Sequence, residues 1–470
     1  MPQKKVYQIR PSGWQNPKEE WRRMSPVDYG TYWWMNWICI FQVHNDADKP
    51  EFLINFKAGL EATLGQCRHA AGTFERNKFG DFSIVTRPNS TATFVELWLD
   101  RPNDTETCIP FKEWKEHHNF ASESLMSNPS SLVVFPSSSP ASPDIPGSPQ
   151  PTMAFQLTFI RGGAIFGLSS HHWFMDALGC GSFINQLAAN CAAVAYKTVP
   201  PAFDENLMDR SRFIGPSLPE NDLVDVSPPP ALHTKRLPYA YLLFRLPHSK
   251  AAELKMLATP TDGSRISTYD AVVAYLWRIN SKNRASIYKP TLWSKAIFGE
   301  PVNMRNKNYQ GIMACGSLSL FQKKPLKLSE VISKAPLPKV ASFIRTITDS
   351  VDAKTLEKHI VKNRRARDKV KLHKTLDWLP PMSLVLTDWR GVGVCGRDFG
   401  VGRCVALRAP SDDVVANLVI LYPLRQVEDS PDHGWEIVLP FEEAHVYSLL
   451  SDPDLKRFFT FCGYEAHAAE

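Results

Sequence analysis

The sequence predicts a mixed α/β protein, because strand-like and helix-like hydrophobic patterns alternate along the chain. Strand-like segments alternate apolar and polar residues, whereas helix-like segments repeat apolar residues three and four positions apart. Both kinds of segment occur in each half of the 470 residues, and no short-period repeat is present. This length is enough for two or three domains.

The composition is typical of a soluble globular protein, with 43% hydrophobic and 22% charged residues. A net charge of +6 suits an anionic small ligand and is too small to indicate nucleic-acid binding. The nine cysteines are scattered without a C-x-x-C pair, as is typical of reduced thiols in an intracellular protein. Because the sequence has neither a secretory signal nor a membrane-spanning run of ~20 apolar residues, we expect a cytoplasmic protein without a membrane partner.

The first half opens with a predicted strand and a predicted helix, and a predicted loop follows later. Residues 32–43 form the most apolar early run and predict a buried strand. Residues 52–67 predict a helix, because apolar residues recur on one face at every fourth position. Residues 136–152 are rich in serine and proline and predict an exposed, poorly ordered loop.

Residues 155–172 predict a β-hairpin that ends in two histidines. Apolar and polar residues alternate along its first strand, and a Gly-Gly pair at residues 162–163 turns the chain. The two-residue period of a strand places His171 and His172 on opposite faces, so only one of them can face a given cleft. A helix is predicted to begin just after Asp176.

The second half follows a long irregular segment. Residues 200–238 are dense in proline and acidic residues and predict a crossover between the two halves. Ser267 and Asp270 have the spacing of an N-capping box ahead of a predicted helix over residues 271–278. Strands are predicted over residues 239–246, 384–386 and 415–422 and immediately before residue 301.

His172 and Asp176 form the strongest candidate for chemistry. A neutral imidazole, with an ordinary pKa of ~6.5, is suited to take a proton from a hydroxyl or an amine near neutral pH. Small neighbours such as Ser170 and Gly179 leave room for a ligand to reach the ring. The bare H-x-x-x-D pattern also fits a core histidine beside a helix-capping aspartate, so both interpretations stay open on this motif alone.

A second motif, D-F-G-V-G, occupies residues 398–402. Its two glycines, Gly400 and Gly402, indicate a tight turn or close backbone packing. A protein-kinase D-F-G is excluded, because no H-R-D precedes it and no glycine-rich loop lies near the start of the chain.

Taken together, the two motifs resemble those of the BAHD family of acyl-CoA-dependent acyltransferases, which carry H-x-x-x-D-G and D-F-G-W-G at a similar separation. Further matching segments lie in the same order and extend the resemblance over nearly the whole chain. They are M-S-P-V-D at residues 24–28, a helix that ends at Gly72, S-T-Y-D-A-V-V-A-Y-L-W-R at 267–278, V-N-M-R at 302–305 and T-D-W at 387–389.

The chain departs from the family pattern at three places. Ala177 replaces the glycine after the aspartate, Val401 replaces the tryptophan of D-F-G-W-G, and residues 309–312 only partly match Y-x-G-N. The first two changes resemble the fungal branch of the family, similar to trichothecene 3-O-acetyltransferases. The third change concerns the acceptor side of the site rather than the fold.

The resemblance implies two similar mixed-sheet α/β domains of the chloramphenicol-acetyltransferase-like fold, with a tunnel at their interface. Applied to this chain, it implies an N-terminal domain over residues 1–199, a crossover loop over 200–238 and a C-terminal domain over 239–470. Acyl-CoA and the acceptor would enter from opposite faces, and His172 would reach both.

The resemblance also implies a role for each motif residue. His172 would act as the general base in a direct, ternary-complex mechanism. Thr387 and Trp389 would donate hydrogen bonds to the tetrahedral oxyanion, although plain packing remains an alternative for Trp389. Asp176 would give structural support by pairing with Arg305. The acyl-CoA side of the site is assigned to Ser267, Thr268, Arg305, Asp398, Gly400 and Gly402, of which Asp398 is structural.

Two other polar clusters carry weaker indications. The His117-His118 doublet has polar neighbours and predicts an exposed helix or loop. The basic run at residues 362–369 fits a solvated helix face, a localisation or nucleic-acid signal, or a surface that attracts the phosphates of CoA. We expect no metal, because neither H-E-x-x-H nor a cysteine quartet occurs.

The expected function is transfer of an acyl group, with acetyl favoured, from acyl-CoA to a hydroxyl of a secondary metabolite. The expected partners are therefore acyl-CoA and a small-molecule alcohol or amine, bound by a monomer that holds no resident cofactor. Three alternatives stay open: an N-acyltransferase, a condensation or cyclisation enzyme on the same fold, and a protein that binds acyl-CoA without turnover.

Overall fold

The computed structural model describes residues 3–13, 18–76, 81–100, 108–126, 128–134, 150–227, 231, 236–305, 317–321, 325–332, 336–373, 376, 378–411, 414–425, 427 and 430–467. Nineteen strands occur in these residues: β1 Gln3–Ile9, β2 Glu20–Arg23, β3 Trp34–Gln42, β4 Thr73–Arg76, β5 Phe82–Thr86, β6 Ala92–Leu99, β7 Gln150–Pro151, β8 Met153–Ile160, β9 Gly163–His171, β10 Tyr239–Leu246, β11 Lys295–Ala296, β12 Phe298–Asn303, β13 Ser317–Phe321, β14 Leu326–Lys327, β15 Leu384–Asp388, β16 Cys404–Arg408, β17 Leu418–Leu421, β18 Trp435–Glu442 and β19 Thr460–His467.

The same residues contain eleven α-helices: α1 Lys49–Gln66, α2 Phe111–His118, α3 Ser122–Leu125, α4 Ala177–Tyr196, α5 His248–Ala258, α6 Thr268–Tyr288, α7 Leu328–Ile332, α8 Leu337–Asp349, α9 Ala353–Arg364, α10 Val446–Ser451 and α11 Pro453–Phe458.

Most predicted elements are present, and the differences have physical reasons. The helix predicted over residues 271–278 continues to Tyr288, because polar residues in its second half, such as Arg284, are buried against other segments rather than exposed. Strand β12 continues through Pro301, where the sequence predicted its end. The predicted loop over residues 136–152 lies mostly outside the described residues, apart from the short strand β7 at its end.

A six-stranded sheet forms the centre of the first half, in the order β1-β6-β8-β9-β3-β16. Strands β6 and β8 are parallel and the other neighbours are antiparallel. Strand β3 is buried on both faces, with Trp37, Cys39 and Phe41 in one core and Ile38 and Ile40 in another. This explains why the run over residues 32–43 is almost continuously apolar.

The second half is built on a seven-stranded sheet in the order β13-β12-β15-β17-β18-β10-β19. Strand β10 shows how this sheet is shared between two cores. Tyr241 and Leu243 belong to the core of the first half, whereas Leu242 and Phe244 belong to a second core that includes residues of helices α5 and α6. The alternation of a strand therefore buries one face of the second sheet against the first half.

Strand β16 connects the two halves directly. It comes from residues 404–408, yet it pairs with β3 at the edge of the six-stranded sheet. The sequence range 239–470 therefore contributes a strand to the sheet of the first half. The two sheets do not correspond one to one to the two sequence ranges implied by the resemblance.

Candidate active site

The two histidines at the end of β9 occupy different environments. His171 lies within a box of aromatic rings, with centroid distances of 4.8 Å to Tyr32, 5.2 Å to Trp34, 5.0 Å to Phe74 and 5.4 Å to Trp173. Its Nδ1 accepts a hydrogen bond from the backbone N–H of Trp173 at 3.1 Å. Burial lowers the pKa of His171 to about 3, so this ring is a neutral part of the core.

His172 lies one residue beyond the strand and remains partly exposed. Its backbone N–H donates to the carbonyl oxygen of Trp33 at 2.9 Å, and its ring meets the Trp33 indole edge to face at 6.1 Å. Burial lowers the pKa of His172, and the Asp176 carboxylate partly opposes that shift. The ring is therefore neutral near pH 7, which is the form that accepts a proton.

Asp176 is the N-cap of helix α4, and its Oδ1 accepts from the backbone N–H of Gly179 at 2.9 Å. The Arg305 guanidinium donates to both carboxylate oxygens, at 2.7 and 2.9 Å, and both side chains are nearly buried. Arg305 follows strand β12, and its backbone N–H donates to Asn303 Oδ1 at 3.0 Å. The ion pair thus ties the loop that carries His172 to the second half of the chain.

Thr387 and Trp389 lie at the end of strand β15 and contact one another. The indole N–H of Trp389 donates to the Thr387 hydroxyl oxygen at 3.1 Å. The Trp389 ring also packs on Trp37 and Tyr422, with centroid distances of 5.1 and 6.0 Å. Because the indole proton is engaged by Thr387, the hydroxyl hydrogen of Thr387 is the one available to a further acceptor.

Ser267 belongs to the N-terminus of helix α6, where the predicted capping box is present, and Thr268 is the first residue of that helix. The Ser267 hydroxyl donates to Asp270 Oδ2 at 2.8 Å and accepts from the Asp270 backbone N–H at 3.2 Å. Arg345 donates to the same hydroxyl at 2.9 Å and to the Asp270 carboxylate at 2.7 Å. The Ser267 hydroxyl therefore takes part in the stability of the helix N-terminus.

The D-F-G-V-G loop packs on the C-terminal end of helix α4. Asp398 accepts from the Gly400 backbone N–H and from the Tyr196 hydroxyl, both at 2.8 Å. At Gly400, where φ is +75°, a Cβ atom would lie 2.5 Å from the Ala195 Cβ. Since α4 begins after Asp176, the two motifs lie at opposite ends of one helix, roughly 27 Å apart at 1.5 Å per residue.

The basic run divides between a surface cavity and contacts to the crossover segment. Lys362 and Arg365 line a cavity of about 490 Å³ together with Val224 and Val361. Arg367 pairs instead with acidic residues of the crossover segment, and Lys369 is buried. The other polar cluster ends helix α2, where His117 is exposed and His118 is partly exposed.

Within the described part of the chain, no group of three or more histidine, cysteine or carboxylate side chains is arranged to hold a metal ion. Among the same residues, no helix combines the length and the apolar character needed to span a bilayer. Residues 309–312, which partly match the Y-x-G-N motif, lie outside the described residues.

Sequence reasoning missed two residues near His172. The Trp33 ring lies 6.1 Å from His172 and 5.8 Å from His373, measured between ring centroids. The aromatic pair Trp33-Trp34 at the start of β3 was a signal for the first contact, because it directly precedes a buried strand. No motif marks His373, which lies about 200 residues beyond the H-x-x-x-D segment.

Comparison with known proteins adds two family matches. The Transferase family model matches residues 127–455. The trichothecene 3-O-acetyltransferase-like N-terminal domain model matches residues 34–191.

Individual proteins are similar over most of the chain. Acetyltransferase FGR3 of Gibberella zeae is 34% identical over 99% of this chain and 95% of its own length. Trichothecene 3-O-acetyltransferase TRI101 of Fusarium sporotrichioides is 24% identical over 68% of this chain and 70% of its own length. The crystal structure of F. graminearum TRI101 complexed with coenzyme A and deoxynivalenol has a TM-score of 0.75 and 18% identity, and covers 94% of this chain and 100% of that one.

Proposed function

The chain belongs to the Transferase family and is an acyl-CoA-dependent acyltransferase, and we propose that it acetylates a hydroxyl of a small secondary metabolite with His172 as general base. The family and the two-domain α/β fold predicted from the sequence are confirmed. We propose further that His172 is the general base, that acetyl-CoA is the donor and that a tunnel runs between the two domains. The domain bounds 1–199, 200–238 and 239–470 are also proposed.

The observation that carries the proposal is the contrast between the two adjacent histidines. His171 is enclosed by aromatic rings and accepts a backbone hydrogen bond, so it has no role in proton transfer. His172 is partly exposed and its lowered pKa keeps it neutral near pH 7. Of the two imidazoles at this strand end, His172 is the more exposed, which supports its assignment as the base.

The proposed reaction proceeds in two steps. The neutral imidazole of His172 takes the hydroxyl proton of the acceptor while the acceptor oxygen attacks the thioester carbon, so the carbonyl electron pair moves onto oxygen. The tetrahedral intermediate then re-forms the carbonyl and breaks the C–S bond, and the departing thiolate takes the proton from His172. A general base of this kind contributes roughly 10²–10⁴-fold to the rate.

Thr387 is the proposed donor to the oxyanion. Its hydroxyl accepts from Trp389, so its own hydrogen is the one that can be directed at a negatively charged oxygen. Trp389 would then act by orienting that hydroxyl and by packing on Trp37. This assignment refines the expectation that both side chains donate directly.

The names of the similar proteins support the choice of donor and acceptor. FGR3 is an acetyltransferase, and TRI101 of F. sporotrichioides is a trichothecene 3-O-acetyltransferase. The structure of F. graminearum TRI101 holds coenzyme A and deoxynivalenol. We therefore propose acetyl-CoA as the donor and a hydroxylated apolar metabolite as the acceptor. We also propose that the protein acts as a cytoplasmic monomer without a membrane partner.

The test is acetyl-CoA-dependent thiol release by purified protein with panels of alcohols and amines. The expected result is release with an alcohol, intersecting initial-rate patterns for the two substrates, and loss of activity in His172→Ala with an unchanged melting temperature. His117→Ala, at an exposed histidine, is the matched control and should retain activity.

Other outcomes would replace the proposal. Release only with amines would indicate an N-acyltransferase, and parallel initial-rate lines would indicate a covalent acyl-enzyme. Binding of acetyl-CoA without release by any acceptor would favour the non-catalytic alternative. Full activity in folded His172→Ala would remove this residue as the base.

A further inference from the structure

The indole of Trp33 contacts two imidazole rings. His172 meets it at 6.1 Å with an interplanar angle of 86°, and His373 meets it at 5.8 Å with an angle of 83°. Trp33 itself is partly exposed. His373 comes from the second half of the chain, just after the short helical turn at residues 370–372. The Trp33 indole is therefore contacted by residues from both halves of the chain.

The backbone of Tyr32 and Trp33 is held by a hydrogen bond at each of the two residues. The N–H of Tyr32 donates to His373 Nδ1 at 3.0 Å, across a sequence separation of 341 residues. The carbonyl oxygen of Trp33 accepts from the backbone N–H of His172 at 2.9 Å. The Tyr32 ring also packs on His171 at 4.8 Å. His373 thus connects, through two residues, to the segment that carries the base.

The hydrogen bond from Tyr32 defines the state of His373. An imidazole nitrogen that accepts a backbone N–H cannot itself carry a proton, so the neutral ring holds its proton at Nε2. Nδ1 is then the atom through which His373 acts on the dipeptide. An asparagine side chain places its Oδ1 acceptor close to the position of a histidine Nδ1, whereas glutamine places its acceptor farther out.

We propose that His373 is a positioning residue for the acyl transfer: through Nδ1 it fixes the Tyr32–Trp33 segment, and Trp33 in turn fixes the orientation of the His172 ring. The inference rests on the proposed function, since it assigns a supporting group to the same base. His373 does not take a proton in the reaction. Its contribution is the geometry of His172 relative to the acceptor, and a small displacement of such a group costs rate steeply.

Substitutions at residue 373 separate this role from a general structural one. His373→Leu removes the Nδ1 acceptor and should lower kcat roughly 10- to 100-fold, with an unchanged KM for acetyl-CoA. His373→Asn keeps an acceptor near the same place and should recover most of the rate, whereas His373→Gln should not. Equal losses in the Asn and Leu variants would overturn the proposal, as would an unchanged kcat in His373→Leu.

A double-mutant cycle tests whether His373 acts through Trp33. In a Trp33→Leu background the indole is absent, so adding His373→Leu should lower kcat little further. Strictly multiplicative effects of the two substitutions on kcat would contradict action through Trp33. Melting temperatures of all variants show whether any loss of rate reflects unfolding.

A second measurement keeps the inference independent of the base assignment. Diethyl pyrocarbonate modifies accessible neutral imidazoles, and peptide fragmentation can quantify the label at His172. The label should form faster at His172 in His373→Leu than in the wild-type protein and return to the wild-type rate in His373→Asn. If His172→Ala proves active, the proposed base fails while this labelling still reports whether His373 positions the ring. Unchanged labelling in His373→Leu would overturn the positioning role itself.

Discussion

The Arg305 guanidinium donates to both carboxylate oxygens of Asp176, which lies 129 residues earlier in the chain. Because Asp176 caps helix α4 and Arg305 follows strand β12, this pair fixes the loop that carries His172 against the second sheet. A nearly buried pair of this kind is costly to break on one side, since the remaining charge is left without its partner.

Asp176→Asn should therefore lower the free energy of unfolding by ~3–5 kcal/mol and reduce activity in parallel. Urea denaturation of the purified variant measures the first effect. The matched control is Asp388→Asn, which breaks a similar bidentate pair, with Arg390, at a more exposed position. It should cost only ~0–1 kcal/mol. Equal costs at the two positions would refute the special role of the buried pair.

The contact between Trp389 and Thr387 predicts an order of effects on rate. Thr387→Val removes the hydroxyl and should lower kcat roughly 10²–10³-fold, as loss of an oxyanion donor does. Thr387→Ser should retain most of the rate, because it keeps the hydroxyl. Trp389→Phe keeps an aromatic ring on Trp37 but removes the N–H, so its loss should be smaller than that of Thr387→Val. A larger loss in Trp389→Phe would return the direct donor role to the indole.

The D-F-G-V-G loop packs on helix α4, so we expect it to stabilise the fold rather than to bind acetyl-CoA. Gly400→Ala should therefore destabilise the protein and leave the KM for acetyl-CoA unchanged. Two effects add at this residue: a positive φ of +75° and a Cβ position 2.5 Å from Ala195 Cβ. Gly396→Ala separates them, since φ there is +83° but nothing lies within 4 Å of the added Cβ. We expect a loss of ~1–2 kcal/mol for Gly396→Ala, from backbone strain alone, and a larger loss for Gly400→Ala. A raised KM in the Gly400 variant would give the loop a role in binding.

The buried carboxyl of Glu465 predicts how stability changes with pH. Burial raises its pKa to about 7, although Arg408 and hydrogen bonds from Ser122 and Tyr422 oppose the shift. Between the ordinary value near 4.5 and about 7, the folded protein holds a proton that the unfolded chain has lost. The stabilisation is therefore complete below pH ~4.5 and is lost as the pH rises to about 7, with a span on the order of 3 kcal/mol.

Glu465→Gln should remove this slope, because the amide does not titrate. The measurement is the free energy of unfolding from urea titrations between pH 5 and 8. Glu51→Gln, at an exposed position on helix α1, is the control that loses the same charge and should keep the wild-type slope. A wild-type slope in Glu465→Gln would place the titrating group elsewhere.

Local elements were predictable from the sequence because hydrophobic periodicity encodes them. The hairpin of β8 and β9, strand β10 and the start of α4 at Asp176 all follow from apolar spacing and one capping residue. The resemblance to a known family supplied the pairing of Asp176 with Arg305, which no spacing could reveal.

Contacts between distant segments could not be predicted, because a repeat of two or 3.6 residues says nothing about which segments meet. The hydrogen bond from Tyr32 to His373 spans 341 residues, and neither residue belongs to a motif. The difference between His171 and His172 was also out of reach. Strand periodicity placed them on opposite faces, but only the packing of Phe74 and Trp173 shows which face is closed.

The placement of strand β16 also has a consequence for biosynthesis. Until residues 404–408 emerge from the ribosome, strand β3 has an unpaired edge whose amide and carbonyl groups can pair with another nascent chain. More than four-fifths of the 470 residues must therefore be synthesised before strand β3 can pair on both sides. A truncated chain that stops at the crossover would expose the same edge permanently, so the protein is committed to folding late and as a single unit.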